Sequence, residues 1–212
     1  MSSHNTPLEI LHRLAARYPT PRTQLHWQSP WQLLVATVLS AQTTDDRVNS
    51  VTPTLFHKWP TPADLAQAPV QDIEQTIYST GFFRAKARHL QATARILVER
   101  HSGEVPQTMA ELLTLPGVAR KTANIVLANA FGTAEGIAVD THVKRLAVRL
   151  GLTTSHQPER IERDLMALFP HSSWGNINHY FVLLGREVCT ARKPRCTQCP
   201  LNDLCPRHGV VS

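Results

Sequence analysis

The stretch from Leu115 to Asp140, LPGVARKTANIVLANAFGTAEGIAVD, places a Pro-Gly turn, an Arg-Lys pair, a helical run and an aspartate in one short span. Proline lacks an amide donor and glycine accepts positive φ, so Pro116-Gly117 ends the preceding helix and turns the chain. From Ala119 the residues Ile125, Val126, Ala128 and Phe131 are spaced for an apolar helical face, and Gly132 is placed to cap it. The pattern predicts a helix, a hairpin and a second helix whose first turn carries Lys121. Unpaired amides and the positive end of the helix dipole meet there. They attract phosphate and disfavour an ammonium ion, so Lys121 is expected to lose its proton more easily than a free lysine, as suits an amine nucleophile.

The rest of the chain reads as further helices punctuated by proline. Leu8, Ile10, Leu11 and Leu14 make an amphipathic first helix that Pro19 and Pro21 end. Ser29 caps and Pro30 opens a second, whose run from Trp31 to Leu39 is apolar nearly all round and predicts a buried central helix. Thr44 restarts a helix at Asp45-Asp46, which Pro53 is expected to kink or end. Thr61-Pro62 caps a short helix, Val70 to Ser79 forms another, and Gly81 closes it. Arg84, Lys86, Arg88 and His89 open a long helix ending near His101, and Thr108 to Glu111 fits a capping box. Beyond Gly132, Ile137 to Val139 is expected to be extended, with helices over Thr141 to Leu150, Pro158 to Phe169 and Ser173 to Val188. No stretch alternates with period two, so the fold class is all-α.

Lysine and arginine total 22 against 16 acidic residues, a formal net charge of +6 that favours a polyanionic partner. No apolar run approaches the length of a membrane span, which predicts a soluble, intracellular (cytoplasmic) protein without membrane contact. All four cysteines, Cys189, Cys196, Cys199 and Cys205, crowd into one short segment. That spacing argues for a metal centre rather than a disulfide framework, and zinc or a [4Fe–4S] cluster would each accept four thiolates. Arg192, Lys193 and Arg195 between the first two cysteines make a basic loop suited to phosphate. Amine catalysis also needs a carboxylate to manage protons, and the chain from Lys121 to Asp140 is long enough to double back. Geometry alone favours Asp140 as a plain helix cap, and one residue can serve both purposes. The amides of the Gly117-Val118-Ala119 turn are candidates for holding a phosphate without reading bases.

These residues resemble the endonuclease III group of helix-hairpin-helix DNA glycosylases over almost the whole chain. LPGVARKTAN looks like that family's hairpin with its catalytic lysine, IAVDTHVKR like its catalytic aspartate segment, LSAQTTD like its DNA-inserting loop, and the four cysteines like its [4Fe–4S] loop. The resemblance implies two helical lobes with DNA in a cleft: residues 22–133 as a six-helix barrel, and residues 1–21 with 134–212 as the cluster domain. It implies a monomer acting on double-stranded DNA with damaged bases or abasic sites. Lys121 would attack C1′ of a flipped nucleotide bearing an oxidised pyrimidine, expel the base and cut the strand by β-elimination through a Schiff base. Asp140 would assist base departure, Gln42 would fill the gap, and Phe82 would act as an apolar wedge unless it is a core aromatic. Arg84, Arg192 and Lys193 would meet the DNA backbone.

Two features depart from the family pattern. Ala119 stands where the hairpin's second glycine is usual, and the loop from Gly132 to Gly136 is one residue longer. The adenine-removing mismatch branch carries a glutamate on the helix that here reads Trp31 to Ala41, where this chain has no carboxylate. A thymine-mismatch glycosylase and a non-catalytic iron–sulfur DNA-binding module remain the competing readings; the pairing of Lys121 with Asp140 separates the enzyme from the module.

Overall fold

The computed structural model describes residues 6–210. Its helices, in chain order, are α1 (Thr6–Arg17), α2 (Pro30–Leu39), α3 (Asp45–Lys58), α4 (Pro62–Gln67), α5 (Val70–Thr76), α6 (Phe83–His101), α7 (Met109–Leu112), α8 (Arg120–Val126), α9 (Thr141–Arg149), α10 (Pro158–Leu168) and α11 (Trp174–Glu187). No β-strand occurs among the described residues, so the fold is all-α, and none of their helices is long and apolar enough to cross a membrane. The chain forms two compact units. One is Thr23–Thr133; the other joins the residues up to Arg22 with those from Ala134 onward.

In the first unit α2 is the hub. Ser29 accepts the Gln32 amide and Pro30 supplies the first-turn residue, so the helix starts where the sequence predicts. Trp31 and every residue from Leu33 to Leu39 are buried, because α3, α6 and α8 pack around it. An apolar surface on all sides is stable only in such a position. The long helix α6 lies along α4, where the Gln91 and Arg95 side chains donate to the Ala68 and Ala66 carbonyls at the end of α4.

The expected break at Pro53 does not occur: α3 continues through it from Asp45 to Lys58. The proline is on the exposed face, and Asn49, whose carbonyl loses its donor, is only half-buried, within reach of water. Thr52 and Leu55, both buried, pin the helix to the core on either side of the missing bond. The helix expected from Val70 to Ser79 is shorter, with α5 giving way after Thr76 to a 3₁₀ turn over Tyr78–Thr80.

The second unit packs α9 against α10 and α11, with α1 laid on α11. Ile10, Leu14, Val143, Leu146, Ile161 and Phe181 are among its fully buried side chains. Arg13 reaches Asp203 at 2.6 Å, and the Tyr18 hydroxyl donates to Glu187 at 2.6 Å. Both pairs are open to water, where such contacts contribute little, so apolar burial does most of the joining of the two chain segments.

Candidate active site and cluster-binding loop

The hairpin is a β-turn over Leu115–Val118, closed by the Val118 amide on the Leu115 carbonyl at 3.1 Å. Gly117 sits at the third position with φ +78°, as a type II turn requires. A side chain there would also meet His89 of α6 at 3.0 Å, so backbone and space both demand glycine. Val118 is buried and its amide is spent on the turn. Its side chain and its amide are thus both engaged within the protein, which leaves the neighbouring amides as the freer donors. Gly117 and Ala119 are exposed. Ala119 takes φ −94° and ψ 170°, an extended conformation open to any residue, so no backbone strain follows from the absent glycine. Only its methyl group distinguishes it.

Lys121 is the second residue of α8 and exposed, and it makes no hydrogen bond or ion pair among the described residues. Behind it α8 buries Ala123, Val126 and Leu127, while Ile125, Ala128 and Phe131 are only half-buried, so the apolar face is rotated from the one the spacing suggested. The helix ends in a π-helical turn over Leu127–Phe131 that Gly132 closes at φ +67°. Asn129 donates from its side chain to the Ile125 carbonyl at 2.8 Å, taking the acceptor that an α-helix would give to its own amide.

Asp140 opens α9. Its Oδ1 accepts the amides of both His142 and Val143 at 2.8 Å, making it the helix cap, while Oδ2 takes no hydrogen bond among the described residues. One oxygen is structural and the other is open. The preceding segment is held by Asn178 of α11, which donates to the Ala138 carbonyl at 2.9 Å. His179 beside it is buried, and burial brings its pKa down to about 4 against the opposing pull of the Asp140 charge.

Gln42 and Phe82 are both exposed and both take left-handed backbone, at φ 54° and φ 47°. Phe82 is 69% exposed, which removes the core reading; Phe83 is the neighbour that packs inward. Arg84 is exposed over the Phe83 ring, 4.7 Å from its centre. Arg192 and Lys193 are exposed as well, whereas Arg195 is committed to the Glu187 carbonyl.

The four cysteines are unpaired and line one cavity in the second unit. No group of three or more His, Cys, Asp or Glu among the described residues is gathered tightly enough for a lone metal ion. Four thiols lining one cavity are the donor set that a [4Fe–4S] cluster takes. The walls fit an anionic group. Arg149, itself buried, donates to Cys189 Sγ at 3.2 Å and to the Thr190 and Ala191 carbonyls at 2.8 Å, and Arg145 donates to the Cys189 carbonyl at 3.1 Å. Sequence reasoning missed these two arginines. Their spacing of four residues puts them on one face of α9, but nothing local to α9 says that this face meets the cysteine loop.

Comparison with known proteins agrees with this architecture. The family described as HhH-GPD superfamily base excision DNA repair protein matches residues 35–171, and the iron–sulfur binding domain of endonuclease III matches residues 189–205. Endonuclease III of Synechocystis sp. is 58% identical over 93% of this chain and 90% of its own length. That of Escherichia coli is 43% identical over 93% of each. A solved structure of a trapped endonuclease III–DNA covalent intermediate, an estranged-adenine complex, is 41% identical. It superposes with a TM-score of 0.91 over 98% of this chain and 97% of that one. The chain belongs to the HhH-GPD superfamily of base excision DNA repair proteins and, within it, to the endonuclease III family. Its cofactor is accordingly a [4Fe–4S] cluster, for which Cys189, Cys196, Cys199 and Cys205 are the available thiolates.

Proposed function

We infer that the protein is a bifunctional DNA glycosylase and AP lyase that acts on double-stranded DNA as a monomer and removes oxidised pyrimidines through a Schiff base on Lys121. The observation that carries this reading is the exposed, unpartnered amine of Lys121 in the first turn of α8, immediately after the hairpin. A covalent intermediate, as in the related endonuclease III–DNA structure, requires a nucleophile, and an amine without an acidic partner meets that need. Nζ in its neutral form attacks C1′ of the flipped nucleotide and the C1′–base bond breaks, the base leaving with the electron pair and taking up a proton; the C1′–O4′ bond then opens with a proton delivered to O4′, and the resulting iminium makes the C2′ proton acidic enough for β-elimination of the 3′ phosphate.

Asp140 assists through Oδ2, the oxygen its capping role leaves open, by stabilising positive charge at C1′ and taking part in proton transfer. The exposed amides of Gly117 and Ala119 hold a backbone phosphate, and Arg84, Arg192 and Lys193 add charge-dependent contacts. Gln42 enters the space left by the flipped nucleotide and Phe82 wedges between bases, both being exposed on turns within one unit. When bound, the [4Fe–4S] cluster supplies a covalent cross-link between the end of α11 and the C-terminal loop. The chain's own part there is to neutralise it with Arg149 and Arg145.

The test is borohydride reduction on duplex DNA carrying an oxidised pyrimidine. Wild type is expected to yield a covalent adduct and Lys121→Ala none, with iron content and DNA binding retained in the variant. An adduct of equal yield in Lys121→Ala would remove the lysine from the mechanism.

A further inference from the structure

Lys86 lies on the first turns of α6, among the basic residues that open that helix. It is 5% exposed. Its ammonium donates to the Leu39 carbonyl at 2.8 Å, to Thr43 Oγ1 at 2.9 Å and to the Thr80 carbonyl at 2.6 Å, and it has no carboxylate partner among the described residues. An ammonium has three donors, so this one is saturated by oxygen atoms alone. An apolar side chain would fill the same space without the desolvation cost but would leave those oxygens without a donor.

The three acceptors come from three different pieces of chain. Leu39 is the last residue of α2, Thr43 follows Gln42 in the loop beyond α2, and Thr80 ends the 3₁₀ turn that leads through Gly81 to Phe82. Thr43 also donates its hydroxyl to the Thr80 carbonyl. One ammonium and one hydroxyl thus tie the Gln42 loop to the Phe82 turn. Each of those segments presents an exposed non-glycine residue in left-handed backbone, a conformation that persists where the surroundings over-determine it.

We propose that Lys86 is a positioning residue that couples the Gln42 loop to the Phe82 turn, so that both side chains enter damaged duplex DNA as one preorganised unit. This rests on the reading of Gln42 and Phe82 as inserting residues. Burial lowers the Lys86 pKa to about 8, so the ammonium with all three donors prevails at neutral pH. Freed from it, the loop and the turn would sample conformations independently, and the loss would fall on the step that opens the duplex rather than on chemistry at Lys121.

The experiment compares wild type, Lys86→Met and Thr43→Val as cluster-loaded full-length protein. Three readouts are needed: excision of an oxidised pyrimidine from duplex DNA, fluorescence of 2-aminopurine placed opposite the lesion, and borohydride trapping on a single strand with an abasic site. Lys86→Met is expected to lose about tenfold to a hundredfold in duplex excision and most of the 2-aminopurine rise, while single-strand trapping stays within about twofold of wild type. Helicity and iron content should match wild type. Unchanged duplex excision, or equal losses on duplex and single strand, overturns the coupling. Should Lys86→Met not fold, Thr43→Val decides by the same split, since it removes the bridging hydroxyl and leaves the ammonium two acceptors. A wild type that gives no adduct on any DNA would instead sink the Lys121 reading.

Discussion

His179 is kept neutral by its surroundings, and this gives the protein a defined acid limb. Burial holds its pKa at about 4, below the usual 6.5. In the unfolded chain the imidazole takes up a proton as pH falls through 6.5, whereas in the folded chain it does so only near 4. The unfolded state therefore binds more protons across that window. The contribution is full above pH 6.5 and is lost as pH falls towards 4, by on the order of 3 kcal/mol in all. Urea midpoints measured from pH 7.5 to 4.5 should fall less steeply in His179→Gln than in wild type, whatever the variant's stability at neutral pH. Parallel curves would show that His179 does not carry the limb.

Single residues were also where the sequence was most and least legible. Gly117 was readable because a Pro-Gly pair specifies a turn that needs positive φ. The capping half of Asp140 was readable for a similar reason, as an aspartate ahead of a helical pattern. Lys86 was not, since a lysine beside other basic residues looks solvated, and the three oxygens that bury it come from segments far away in the chain. Which amide of the turn is already used was not legible at all, since residue type does not tell that the Val118 amide closes onto the Leu115 carbonyl.

Among the elements, α9 joins the two kinds of chemistry in its unit. Its N-terminus is Asp140 and its last residue is Arg149, whose guanidinium holds Cys189 and the carbonyls of the two residues after it. Arg149→Met keeps the stem's bulk but leaves those carbonyls without donors, at about 1–3 kcal/mol each where they are buried. The expected result is lower iron per chain and faster loss of visible absorption to a chelator, ahead of any loss of helical signal. Iron retention equal to wild type would mean that the thiolates hold the cluster without help from α9. The starts of α2, α3, α4 and α7 were legible because Ser29, Thr44, Thr61 and Thr108 each accept an amide of the following first turn. Pro53 was misread because local rules assign a cost to a proline in a helix, while tertiary burial of Thr52 and Leu55 decides whether the helix bears it.

At the scale of the whole molecule, the net charge of +6 gives attraction to DNA but not its distribution between fixed charges and neutral donors. The two differ in their response to salt. A lysine or arginine that neutralises a phosphate releases counterions and steepens the dependence of affinity on salt by about 0.9 per contact, whereas a backbone amide adds affinity with little slope. The basic loop and the hairpin can therefore be told apart. Removing both charges in Arg192→Ala/Lys193→Ala should reduce the slope of log affinity against log salt on undamaged duplex by about 2. Ala119→Gly removes the methyl beside the hairpin amides without altering charge, so it should tighten binding at every salt concentration and leave the slope unchanged. Fluorescence anisotropy over a salt series reads both. If the double variant keeps the wild-type slope, the loop between Cys189 and Cys196 does not touch phosphate, and its basic residues serve the cluster or solubility instead; if Ala119→Gly changes the slope, the hairpin contact is not made by neutral amides.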